Sequence, residues 1–181
     1  PDELLDEAVA AEGPVELTMD AVERFVEQAT ARGVDELAFT EHMYYFRQAE
    51  GLLEHPYHRS RVAHDLDDYC GTVLGAKAQG LPVKLALELE WLPGSEQELA
   101  ELVSPYPWDF LLGSVHLLDG EAVDMEPGAW AGREVEEVWR RYFAELASLA
   151  RSGLADVLAH PDLVKIYDRR PDADTVAACH E

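Results

Sequence analysis

Apolar positions along the chain follow two periods in turn. Over residues 19–31, Val22, Phe25, Val26 and Ala29 recur at i, i+3, i+4 and i+7, one face of a helix. Thr18 is placed to cap that helix and Gly33 to stop it. Residues 36–40 form a short apolar run, read as a strand, that leads straight into Glu41 and His42. Residues 43–59 are aromatic, mixed in charge and without period, and read as a long loop. Helical spacing returns from Ser60 to about Gln79, with Val62, Leu66, Tyr69, Cys70 and Val73 on one face. A second strand covers roughly 83–89, and Ser95 to Glu98 reads as a capping box opening a helix to about Val103. The run DFLLGSVH, 109–116, is a third strand. A long helix over roughly 133–152 presents Val135, Val138, Trp139, Tyr142, Phe143, Leu146 and Leu149, and Gly153 closes it. DVLAH, 156–160, is the fourth strand, and a further helix begins near 173. Residues 1–17 give no clear element.

Strands and helices therefore alternate, and the strands are nearly continuous apolar runs. That pattern predicts an α/β fold with a parallel sheet covered by helices. With no internal repeat or linker, residues 1–181 read as a single domain.

The strand ends carry the chemistry. The first runs into Glu41-His42, the second carries Glu88 and Glu90, the third ends on His116 and the fourth on His160. The carboxyl ends of parallel strands are where α/β folds build their sites. Any one histidine there is more often structural than a ligand, but four strands out of four ending this way is poorly explained as coincidence. Imidazole and carboxylate are ligands of divalent zinc, manganese and iron, and a carboxylate can bridge two ions. His55, His58 and His64 lack a helical ligand pattern and read as surface or loop residues; Asp65, Asp67 and Asp68 read as a solvated helix face.

Charge narrows the partners. With 37 acidic against 14 basic residues, the formal net charge is −23, which excludes nucleic acid and anionic membrane surfaces as natural partners. A phosphorylated small molecule needs only local positive charge, and the few cations sit in suggestive places. Arg47 follows His42, and Lys165, Arg169 and Arg170 follow His160. Two distant cysteines make no disulfide framework, and no apolar run nears the ~20 residues that span a bilayer, so a cytoplasmic location is expected. The chain opens on Pro1 and stops in mid-pattern, which reads as a piece of something longer.

The stretches ARGVDELAFTEH, LALELEWLPG, WDFLLGSVHLLDG and DVLAHPDLVK, in this order, resemble the PHP superfamily and specifically its histidinol-phosphatase family. The resemblance covers about residues 18–168. It implies a distorted (β/α)7 TIM-like barrel with a multinuclear divalent-metal centre, of zinc, manganese or iron, at the strand ends. It implies His42, Glu88, His116 and His160 as metal ligands, Glu88 bridging, with Glu90 a neighbour and not a ligand. Arg47 and Lys165 would contact the anionic substrate. The implied activity is hydrolysis of the phosphomonoester of histidinol in histidine biosynthesis, by a metal-activated water. The family's opening H-x-H strand and closing Asp-x-His strand have no counterpart here, so the 181 residues correspond to the central portion of the barrel. Two alternatives follow: a hydrolase of another phosphoester, or a non-catalytic scaffold lacking the terminal ligands.

Overall fold

In the computed structural model, residues 16–125 and 127–179 are described. Residues 1–15, where the pattern gave no element, lie outside them. The elements are α1 (Met19–Ala31), β1 (Leu37–His42), α2 (Pro56–Arg59), α3 (Leu66–Ala78), β2 (Val83–Glu90), α4 (Glu96–Val103), β3 (Phe110–Ser114), β4 (Leu117–Leu118), β5 (Glu121–Ala122), α5 (Val135–Ser152), β6 (Val157–Leu158) and α6 (Ala173–Cys179). Four strands form one sheet in the order β1-β2-β3-β6, and β4 pairs with β5 in a small hairpin. β3 and β6 run parallel, with Leu112 opposite Val157 and Gly113 opposite Leu158. The α/β class and parallel pairing agree with the periodicity.

The residues group into two compact units, one reaching to Ala86 and including Tyr106–Asp109, the other comprising Leu87–Pro105 and the chain from Phe110 on. In the first, α1 is capped as expected, Thr18 Oγ accepting from the Ala21 N–H at 3.3 Å. Val22 and Val26 are buried, but Phe25 is 39% exposed and touches Phe39 edge-on, so the apolar face is narrower than its spacing implied. The segment 43–59 is not a loop. It holds 3-10 turns at Met43–Tyr45 and Arg47–Leu52, then α2, and buries Tyr44, Phe46, Ala49 and Leu53. Its aromatic content is packing material.

Two helix starts differ from the sequence reading. Ser60 does not open α3; its hydroxyl donates to the Tyr57 carbonyl at 2.8 Å and closes α2. Asp65 is the cap instead, accepting from the Asp67 N–H at 2.9 Å, so it is not merely a solvated acid. Ser95 makes no side-chain cap bond, because its backbone (φ −113°, ψ 26°) leaves the extended region that an N-cap needs.

In the second unit, α5 lays Val138, Trp139, Tyr142, Leu146 and Leu149 into a core with Trp91, Val115, Leu118, Trp130 and Val164. Gly153, left-handed at φ 71°, ends the helix as read. Gly113 lies in β3 beneath this helix. A Cβ there would stand 2.8 Å from Leu149 Cδ2 and 2.9 Å from the Ala155 Cβ. Only glycine lets helix and strand approach so closely.

An aspartate precedes β3 and another precedes β6, and both act as latches. Asp109 N–H donates to the Leu85 carbonyl, and its carboxylate accepts from the Leu85 N–H at 2.7 Å. Asp156 repeats the arrangement on Leu111, accepting at 2.8 Å. Burial works against the charged form of Asp109, but Lys77 Nζ at 2.6 Å and the Leu85 amide outweigh it and hold its pKa below the ordinary value.

A carboxylate with a depressed pKa stabilises the fold above its unfolded-state pKa and loses that contribution as pH falls through the folded value. Asp109→Ala is therefore expected to cost about 2 kcal/mol at pH 7 in urea unfolding. The gap to wild type should narrow below the normal carboxylate range; a gap independent of pH would remove the latch. Gly113→Ala should lower stability by roughly 1–3 kcal/mol through overpacking, and an unchanged melting temperature would contradict the close approach.

Candidate metal centre

In the second unit, β2 delivers Glu88 and Glu90 two residues apart, hence to the same face of the strand. Glu88 Oε1 lies 3.0 Å from His160 Nε2 and 3.7 Å from His116 Nε2. The two imidazole centroids are 4.9 Å apart at 51°. The side chains of Glu88 and His116 are only 11% and 10% exposed, so charge at this point acts with little screening by water. The 3.7 Å separation is too long for a hydrogen bond but suits two ligands of one ion. Ligands at ~2.1 Å in tetrahedral geometry stand roughly 3.4 Å apart.

Behind His116 lies a second carboxylate. Glu90, 1% exposed, accepts from the His116 backbone N–H at 3.0 Å and stands 2.7 Å from the ring Nδ1. Ser114 Oγ lies 3.2 Å from the same nitrogen and itself donates to the Leu89 carbonyl at 3.0 Å. Burial would lower the His116 pKa, but the Glu90 hydrogen bond and charge outweigh it, and the net shift is upward. The sequence reading left Glu90 without a role. The signal available was its i+2 spacing from Glu88, which puts both acids on one face.

His160 follows β6 with a left-handed backbone, φ 30°, unusual for a non-glycine residue and immediately before Pro161. Its carbonyl accepts from the Tyr142 hydroxyl at 3.2 Å and from the Leu163 N–H at 3.0 Å. Tyr142 is wholly buried in the α5 core, so the helix holds the strained residue in place.

In the first unit, His42 ends β1, and its ring stacks on Tyr44 at 4.7 Å and 14°. Tyr44 also stacks on His58 at 4.3 Å, and His58 is buried within α2 rather than a surface or loop residue as expected. Glu41, next along the strand, lines a cavity of about 140 Å³ together with Tyr45, Arg47, His64 and Tyr69, and burial raises its pKa. Arg47 donates to the Ala63 carbonyl at 3.0 Å and lies 3.7 Å from Asp65. Lys165, in the other unit, lies 3.7 Å from Asp162. The structure thus gathers Glu88, Glu90, His116 and His160, and sets both cations beside acidic neighbours.

Comparison with known proteins matches residues 17–179 to the PHP domain family model. The probable histidinol-phosphatase of Deinococcus radiodurans is 30% identical over 161 residues, covering 86% of this chain and 59% of that protein. The solved histidinol phosphate phosphatase of Lactococcus lactis subsp. lactis Il1403, complexed with zinc, L-histidinol and phosphate, superposes with a TM-score of 0.65 at 20% identity. That match covers 92% of this chain and 57% of the other, and at such identity it is a likeness of fold. The chain spans somewhat over half the length of both relatives. A parallel sheet whose strand ends carry histidine and glutamate agrees with a family match that runs almost the whole described length, and the chain belongs to the PHP domain family.

Proposed function

We propose that this chain forms the metal-binding core of a phosphomonoesterase, within a PHP-type (β/α)7 barrel domain, and that its substrate is histidinol phosphate. The observation that carries the reading is the convergence of His116 and His160 on one little-exposed carboxylate, Glu88. His42, which ends β1, is proposed as a further ligand because the chain belongs to the PHP family, and zinc, manganese and iron all suit imidazole and carboxylate ligands. His160 belongs to the same centre through Glu88. When bound, such an ion supplies Lewis-acid polarisation of a phosphoryl oxygen and a lowered pKa for water.

The remaining work falls to side chains. A protein of net charge −23 repels a phosphate ester at a distance, so the site must meet the anion with local cations. Arg47 and Lys165 are the proposed contacts, each partly exposed and each beside a single acid that a phosphate could compete with. The choice of histidinol phosphate rests on the Deinococcus relative, 30% identical over 161 residues. A cytoplasmic location is proposed because Cys70 and Cys179 are free thiols, Cys70 with a pKa pushed up to about 12 by burial. No helix among the described residues is long and apolar enough to cross a membrane.

His116→Ala and Glu88→Gln are each expected to weaken zinc binding by at least about tenfold in calorimetric titration. Wild-type affinity in both would remove the metal centre. Assayed with manganese or zinc, the protein should release phosphate from histidinol phosphate faster than from p-nitrophenyl phosphate. Equal rates would leave the metal centre standing but remove the substrate.

A further inference from the structure

We propose that Glu90 is a positioning residue that fixes His116 as its Nδ1–H tautomer and so directs the Nε2 lone pair at the ion. The inference rests on the metal reading above and adds a role for a residue that touches neither ion nor substrate.

Two acceptors meet at the His116 Nδ1. Glu90 Oε2 stands 2.7 Å away. Ser114 Oγ stands 3.2 Å away with its own proton committed to the Leu89 carbonyl, so it offers a lone pair. A nitrogen facing two acceptors carries the proton. In a neutral imidazole the other nitrogen is then unprotonated, and His116 Nε2 faces Glu88 Oε1 at 3.7 Å. An unprotonated nitrogen and a carboxylate oxygen at this separation, both on little-exposed side chains, are suited to share a cation. Glu90 holds the ring by a second point, since its Oε1 accepts from the His116 backbone N–H at 3.0 Å. One buried carboxylate thus sets both the ring's proton and the position of its backbone.

Glutamine in place of Glu90 has nearly the same shape but cannot satisfy both sites. Whichever way its amide turns, one N–H meets another N–H. Orphaning the backbone amide is costly, so the cheaper response is to move the ring proton to Nε2, where it blocks the ion. Glu90→Gln should therefore weaken zinc binding about 10- to 100-fold. Nitrogen-15 NMR of the metal-free protein, at alkaline pH where the ring is neutral, should report Nδ1–H in wild type and Nε2–H in the variant. A folded Glu90→Gln protein with wild-type zinc affinity would overturn the proposal, and so would an Nε2–H tautomer in wild type, a measurement that needs no variant. Glu90→Asp, which keeps an acceptor near Nδ1, should recover part of the affinity; no recovery in a folded protein would count against a positioning role. If His116→Ala leaves zinc binding unchanged, the metal reading fails and takes this one with it. If His116→Ala abolishes binding while Glu90→Gln does not, only the role of Glu90 fails.

Discussion

The bonds between carboxylate and backbone at the amino ends of β3 and β6 set where each strand begins, and hence where its last residues fall. Asp109 holds Leu85 through both of that residue's backbone groups, and Asp156 holds Leu111 in the same way. A parallel ladder has evenly spaced, slanted bonds and tolerates slippage unless something pins it. A slip of one residue would send a strand's side chains to the opposite face. His116 and His160 reach Glu88 only because that slip does not occur.

Packing supports the same end. Gly113 lets α5 lie almost on the backbone of β3, and Tyr142 of that helix holds the carbonyl of His160, whose backbone is left-handed. The helix core and the strained ligand are thereby one construction. Strain at a functional position persists when the surroundings over-determine it, and here a buried phenol and the following turn do so.

The electrostatics are organised by depth. A formal net charge of −23 keeps the protein apart from other anions at a distance. Glu88 and Glu90 are different, because Glu90 is buried, Glu88 is little exposed, and both face imidazoles. Glu90 is offset by the hydrogen bonds of His116. Glu88 is shared between two rings, within hydrogen-bond distance of His160 at 3.0 Å and too far for one from His116 at 3.7 Å.

The strands, the alternation with helices and the four polar strand ends were legible in the sequence because each is a local pattern, set by the period of side chains along a strand or helix. The same locality explains the misreadings. Ser60 and Asp65 are both capable caps, and only the fold decided that Ser60 closes α2 while Asp65 opens α3. The spacing of Phe25 marked it for burial, but how much of the face is covered depends on the neighbour, not the period. The aromatic segment 43–59 lacked a period because its turns are short, and its burial is tertiary. The sequence by itself determined which residue types arrive at the carboxyl ends of the strands. Tertiary structure decided which of two glutamates faces both rings and which stands behind His116, since that depends on pairings between strands far apart in the chain.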